Sequence, residues 1–198
     1  MSLLIESIKL QDGEFCNLFY HEQRMKRSLH MLCGVDDHLD LEAFLKNVQF
    51  PTTGLHKCRL VYDEKSREVE FIPYTPKSIS TLRIVEHDRI NYEFKYTNRK
   101  NIDRLFEMRN GADDILIVKR GLITDSSYCN IVFRKGNSWI TPWSALLKGT
   151  QRQKLLEREL IREEEITKDD VKHFDSFKLI NALLEFDAPE IEIANIVF

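Results

Sequence analysis

With 198 residues, 42% of them hydrophobic and 31% charged, the chain has enough apolar content to bury a core, as one compact domain or two small lobes. No apolar run approaches the roughly 20 residues that a membrane-crossing helix needs. A formal net charge of −3 gives no basic footprint for nucleic acid. Cys16, Cys33, Cys58 and Cys129 are widely spaced and read as thiols of a reducing cytoplasm. The histidines are scattered too, so no metal site is expected. The opening MSLLIESIKLQDGEF lacks a basic segment followed by a long apolar one, so no signal peptide is expected.

In chain order, Leu3 to Leu10 alternates as a strand and Gln11-Asp12-Gly13 signals a turn. His21 to Ser28 reads as a helix with apolar Met25 and Leu29 among several cations. Asp37 or Asp40 caps a further helix through Leu41, Phe44 and Leu45, ended by Pro51 to Gly54. Cys58 to Tyr62 and Glu68 to Phe71 flank Asp63 to Arg67 as a hairpin, and Leu82 to Val85 is another strand. A boundary near 88–91 divides the chain into a small α/β lobe, 1–90, and a larger lobe, 91–198, with a mixed sheet or pseudo-barrel. A helix is expected from about Asn98 to Asn110, stopped by Gly111.

The block Ala112 to Phe133, ADDILIVKRGLITDSSYCNIVF, holds two apolar runs, Ile115 to Val118 and Asn130 to Phe133. They read as paired strands with a tight connection, which leaves the carboxylate of Asp125 at a strand end before Ser126 and Ser127. On residue type alone, Asp125 is a solvated turn residue. Trp139 to Pro142 is a short strand, Leu146 to Arg152 opens a helix with Leu155, Leu156 and Leu160 on one side, and Glu163 to Glu165 is a solvated edge.

This block resembles the signature of the class IV aminotransferase family, the pyridoxal 5'-phosphate (PLP) enzymes of fold type IV. The likeness runs from about Glu6 to about Leu184. It implies a mixed α+β chain of two small lobes of the D-amino acid aminotransferase-like fold. It also implies a cytoplasmic homodimer acting on a small-molecule amino substrate, with no nucleic acid or membrane partner. By the same resemblance, Lys95 is the catalytic lysine that carries PLP, and Asp125, followed by Ser126, meets the cofactor's pyridine nitrogen. The segment around His21 implies a phosphate-binding Arg, placed at Arg27 with Arg24 one turn away as the competitor. A guanidinium suits phosphate because its planar donors bind oxygens in pairs and stay charged. Gly149, Thr150 and Gln151 match the second phosphate clamp, where backbone N–H groups and the helix dipole favour an anion.

The K-x-x-N-R beginning at Lys95 and the I-N-A-L ending at Leu183 resemble the lyase branch of the family, which forms 4-aminobenzoate from 4-amino-4-deoxychorismate. An amino acid transaminase is the alternative, and a PLP-fold binding protein without catalysis a further one. That last reading rests on family members being longer before the stretch equivalent to Glu6. Arg59, Arg99 and Lys148 are the cations available to a dicarboxylate substrate, with Asn181 at the far wall. As residues alone, these cations read as surface positions, and Arg59 as part of a strand.

Overall fold

The computed structural model describes residues 3–198. The chain forms two compact units. One runs up to Pro76 and includes Phe94–Asn98, while the other comprises Lys77–Glu93 and Arg99–Phe198. The division therefore falls before the expected 88–91, and the Lys95 segment returns to the first unit rather than opening the second.

The first unit contains β1 (Leu4–Gln11), β2 (Glu14–Phe15), α1 (Leu18–Cys33), α2 (Leu41–Lys46), β3 (Leu55–Tyr62) and β4 (Arg67–Pro73). Its antiparallel sheet has the order β2-β1-β3-β4. The period-two alternation of β1 turns Leu4, Glu6, Ile8 and Leu10 inward. Against them α1 packs Met25 and Leu29, with Cys58 and Leu60 from β3 in the same core. Burying a side chain such as Leu29 contributes roughly 1.5–3 kcal/mol. The α1 helix ends at Gly34 in the left-handed region (φ 67°), a conformation open to glycine without steric cost. Asp40, not Asp37, caps α2, accepting from the Ala43 N–H at 2.9 Å. Asp37 instead holds Arg67 through both carboxylate oxygens, at 2.8 and 2.7 Å.

β1 is covered along its outer edge from two directions. β2 pairs with its C-terminal end. At the other end the Ile5 N–H donates to the Lys95 carbonyl and the Thr97 N–H to the Leu3 carbonyl, each at 2.9 Å. Lys95 thus sits in a short added strand whose bridge pairs Leu4 with Tyr96.

The second unit begins with β5 (Leu82–Glu86), α3 (Lys100–Phe106), β6 (Asp114–Lys119), β7 (Leu122–Ser126), β8 (Asn130–Lys135) and β9 (Ser138–Pro142). It continues with α4 (Thr150–Glu157), β10 (Arg162–Glu164), β11 (Ser176–Ile180), β12 (Ile191–Glu192) and β13 (Ile196–Val197). The sheet is mixed, with the order β10-β9-β8-β7-β6-β5-β13, and β11 joins β8 and β12. β5, β6 and β13 run parallel, as do β9 and β10, while β6 to β9 form an antiparallel meander. β6 is buried from Asp114 to Val118 without alternation, the pattern of a strand covered on both faces. Its Leu116 and Val118 join Ile123, Ile131, Phe133, Ile140 and Phe177 in the core.

Three expectations are corrected here. The two apolar runs of the Ala112 to Phe133 block are not direct partners, because Leu122–Ser126 is a strand between them. The cause is the two-residue turn Arg120-Gly121, where both residues take positive φ (54° and 79°) and return the chain on β6 at once. The helix expected over 98–110 is α-helical only to Phe106, followed by a 3-10 turn at Glu107–Arg109. There Arg109 donates to the Phe106 carbonyl at 3.1 Å and stacks on its ring. Leu160 lies beyond α4 and is exposed, so it is no part of that helix's apolar side.

Candidate active site

In the first unit, Glu6 is the charged residue among the inward positions of β1, and it is fully buried. Two residues of α1 meet it. His21 Nδ1 lies 2.6 Å from Oε2, and Arg24 donates through Nε to Oε1 at 2.9 Å and through Nη2 to Oε2. Burial by itself raises the Glu6 carboxyl, but the Arg24 charge and the hydrogen bonds from His21 and Arg24 outweigh it and bring it down to about 2. Burial pushes His21 down, opposed by Glu6 and aided by the charges of Arg24 and Lys95. The ammonium of Lys95 is therefore felt at this cluster, and its side chain is half-buried.

The helix phase separates the two arginines. His21, Arg24, Met25 and Ser28 are spaced i, i+3, i+4, i+7 and share the inward face of α1. Arg27, six residues after His21, is exposed on another face, so of the two arginines considered for the phosphate it is Arg24 that shares the inward face with His21. The sequence signal was the acid at an inward position of β1, which needs a buried cation opposite.

In the second unit, Asp125 stands at the end of β7, directly opposite Asn130 on β8. It is 6% exposed. Asn130 Nδ2 donates to its Oδ1 at 2.7 Å and to the Leu147 carbonyl at 2.9 Å, while the Leu147 N–H donates to its Oδ2 at 3.0 Å. Burial pushes the Asp125 carboxyl up to about 6, although the Leu147 N–H, Asn130 and the charge of Arg152 pull the other way. Asp125 is no solvated turn residue.

Gly149 follows as the N-cap of α4, with φ −69° and ψ 148°. Any residue adopts that backbone, so the requirement for glycine is spatial: a Cβ here would lie 2.0 Å from Asn130 Oδ1. Thr150 and Gln151 open α4 and are 3% and 2% exposed, and no side chain caps this helix. Arg152, which sequence reasoning passed over, is 1% exposed. It donates to the Pro142 carbonyl at 2.9 Å and to Glu163, yet its buried Nε has no acceptor. Glu163 on the exposed strand β10 thus serves as more than a solvated edge.

The other expected residues have local duties. Ser126 Oγ accepts the Cys129 N–H at 3.0 Å and closes the β7–β8 turn. Arg59 pairs across the strands with Glu70 at 3.3 Å. Arg99 donates to the Ser127 carbonyl at 2.6 Å and lies over the rings of Tyr128 and Tyr92. Asn181 accepts the N–H groups of Leu183 and Leu184 at 2.8 and 2.9 Å, which makes it a turn-former. Lys148 is exposed and makes no ion pair among the described residues. No group of three or more His, Cys, Asp and Glu side chains among the described residues is placed to hold a metal, and no helix there is long and apolar enough to cross a membrane.

The residues fit a PLP-sized aromatic phosphate. A buried carboxylate held by neutral amide donors suits a protonated ring nitrogen. The uncapped start of α4 and the orphaned Arg152 Nε supply anion-seeking donors.

The family model "Amino-transferase class IV" matches residues 3–186. An uncharacterized protein of Haemophilus influenzae is 36% identical over 183 residues, 91% of this chain and 97% of that one. The crystal structure of a "putative 4-amino-4-deoxychorismate lyase" from Haemophilus somnus 129PT superposes with a TM-score of 0.86 at 33% identity, covering 92% of this chain and 97% of that one. A PLP-bound "hypothetical aminotransferase" from Mycobacterium tuberculosis shares the fold, with a TM-score of 0.77 at 18% identity over 96% of this chain and 80% of that one. The chain's short length, expected to set it apart, is thus shared by both Haemophilus relatives.

Proposed function

The chain belongs to the class IV aminotransferase family, and from that premise we propose that it is a PLP-dependent 4-amino-4-deoxychorismate lyase, releasing pyruvate and leaving 4-aminobenzoate. The observation that carries the reading is Asp125, a buried carboxylate raised to about 6 and held by Asn130 and the Leu147 N–H. Such a group gains most from a cation brought to it, and a pyridinium is that cation. When bound, PLP supplies an electron sink that acidifies the C–H bond beside the attached nitrogen.

Each residue then has a task. Lys95 holds the cofactor through its amine and takes the substrate proton. Asp125 keeps the ring nitrogen protonated, and Asn130 fixes its carboxylate. Arg24 and the N–H groups of Thr150 and Gln151 receive the phosphate. Of the three cations considered for the substrate's carboxylates, Lys148 is the one without a competing acid among the described residues. In the reaction the C–H bond next to nitrogen and the C–O bond to the side chain break. The side chain leaves as enolpyruvate, and the ring becomes aromatic.

The Haemophilus somnus relative's name supports the lyase, as does that of a "putative aminodeoxychorismate lyase" from Schizosaccharomyces pombe. The latter is 34% identical over 77 residues, 36% of this chain and 33% of that protein. The second reading is an amino acid transaminase, in keeping with a "putative amino-acid aminotransferase" structure from Mesorhizobium loti, whose TM-score is 0.81 at 20% identity with all of both chains covered. We propose further that the enzyme is a homodimer of the cytoplasm; light scattering tests the oligomeric state.

Incubation with 4-amino-4-deoxychorismate is expected to yield pyruvate and 4-aminobenzoate in equal amounts with no keto acid added, and none of either from Lys95→Ala. Amino-group transfer from a common amino acid to a keto acid, with aminodeoxychorismate left untouched, overturns the lyase in favour of the transaminase.

A further inference from the structure

Arg99 of the K-x-x-N-R motif and Asn181 of the I-N-A-L motif are far apart in sequence, yet both reach the turn 126–129 that joins β7 to β8. The ladder there is short: Asp125 stands opposite Asn130, and the Ser126 N–H donates to the Cys129 carbonyl at 2.9 Å. At the tip, Arg99 Nη2 donates to the Ser127 carbonyl at 2.6 Å, its guanidinium 4.1 Å from the centre of the Tyr128 ring and 5.6 Å from that of Tyr92. Asn181 Nδ2 reaches the Tyr128 carbonyl at 3.5 Å and the Cys129 sulfur at 3.1 Å. The Asn181 amide is oriented by its own loop, because Oδ1 accepts the N–H groups of Leu183 and Leu184 and leaves Nδ2 for the turn. The N–H groups of the tip are held as well, Ser127 by Asp114 Oδ1 at 3.4 Å, and Tyr128 and Cys129 by Ser126 Oγ at 3.4 and 3.0 Å.

We propose that Arg99 and Asn181 are positioning residues: together they clamp the turn 126–129 and so hold Asp125 and Asn130, which flank it, in the register that aims the carboxylate. Asp125 Oδ1 takes the Asn130 amide across the ladder at 2.7 Å, and Oδ2 takes the Leu147 N–H at 3.0 Å. A turn that slips loses both bonds. Ser127 is 3% exposed, so its carbonyl has little access to water and depends on the donor that Arg99 brings. A guanidinium suits this clamp because it stacks on aromatic rings while its edge donates. Its Nε makes no hydrogen bond and lies 3.7 Å from Asp103, which leaves the bond to Ser127 as the directional contact that fixes it. The consequence for catalysis rests on the role of Asp125 proposed above; the clamp itself does not.

In the cofactor-free protein the Leu147 N–H reports on Asp125, and the His87 N–H, which donates to the Val118 carbonyl at 2.8 Å, reports on the rest of the second unit. Arg99→Met removes one clamp. Asn181→Asp removes the other while keeping the acceptor for Leu183 and Leu184. Each is expected to speed hydrogen exchange at Leu147, followed by NMR, at least about tenfold, with His87 within about twofold of the parent. In the loaded enzyme both variants are expected to lower kcat at least about tenfold and to leave KM for aminodeoxychorismate within about threefold. Unchanged exchange at Leu147, or equal acceleration at Leu147 and His87, overturns the clamp. So does a KM raised about tenfold with kcat kept, which makes Arg99 or Asn181 a substrate ligand instead. A parent protein that leaves aminodeoxychorismate untouched defeats the lyase reading alone, and the exchange measurement still decides the clamp.

Discussion

Glu6 in the first unit and Asp125 in the second are both buried carboxylates at inward positions of strands, yet they move in opposite directions, one down to about 2 and the other up to about 6. Desolvation is the largest influence on each and acts upward on both. The partners make the difference. Glu6 faces a guanidinium and an imidazole in direct contact, whereas Asp125 is held by an amide side chain and a backbone N–H, with Arg152 acting only through its charge. Glu6 is a completed circuit that fixes α1 on β1. Asp125 is oriented but uncompensated, the condition expected of a group whose counter-ion arrives with a ligand.

The sharpest way to break this comparison is to remove each acid. Asp125→Ala is expected to lower turnover on the order of a thousandfold, while binding of PLP is largely kept and the fold loses little. Comparable turnover at saturating PLP, measured as 4-aminobenzoate release, would refute the counter-ion role. Glu6→Ala is expected to act on the fold instead, destabilising it by about 3–5 kcal/mol because Arg24 and His21 are left facing a vacancy. Urea denaturation measures this, and a midpoint within error of the parent's would count against the buried circuit.

The pH dependence of the cofactor-free protein separates the two by sign. Asp125 has a folded value near 6 against an ordinary 3.8, so the folded state keeps a proton that the unfolded chain releases. Stability is therefore lost as pH rises from about 4 to about 6, by roughly 3 kcal/mol. Glu6 has a folded value near 2 against 4.5. Its contribution is fully present above pH 4.5 and is lost as pH falls from there toward 2, again by roughly 3 kcal/mol. Asp125→Asn is expected to flatten the upper slope only, and an unchanged slope in thermal melts across that window would count against the assignment.

Smaller effects test the supports. Arg24→Ala is expected to weaken PLP binding by about 1.5–3 kcal/mol, with Arg27→Ala near the parent in equilibrium titration; the reverse order restores Arg27. Gly149→Ala is expected to destabilise by about 1–3 kcal/mol, since its Cβ displaces Asn130. A pH profile of turnover shifted along with stability would trace that loss to Asp125.

Much of this was legible in residue order. Alternation announced β1 and the β3–β4 hairpin, a cap was expected at Asp37 or Asp40 and is Asp40, and the block around Asp125 carried its family likeness openly. What escaped depends on relations between elements. Arg24 and Arg27 are equivalent as letters and differ only once Glu6 fixes which face of α1 turns inward. β7 was concealed because Leu122 to Ser126 ends in the polar Thr-Asp-Ser, which reads as a turn until Asp125 is seen paired with Asn130. Gly149 was expected in the phosphate clamp, and the sequence could not show that the close approach of Asn130 excludes a side chain there. Arg99 and Asn181 looked available to substrate; the structure adds that Arg99 donates to the Ser127 carbonyl while its buried Nε has no acceptor, and that Asn181 accepts the Leu183 N–H.

The discontinuous first unit bears on how the chain is made. Its outer β1 edge is closed by residues 95–97, so a nascent chain that has emerged only as far as Pro76 carries a sheet with half an edge open. Backbone groups left unpaired in that way invite pairing with a neighbouring chain. Translation of roughly twenty further residues takes about 1–4 s, and for that interval the edge of β1 that will pair with residues 95–97 stays open to a neighbouring chain.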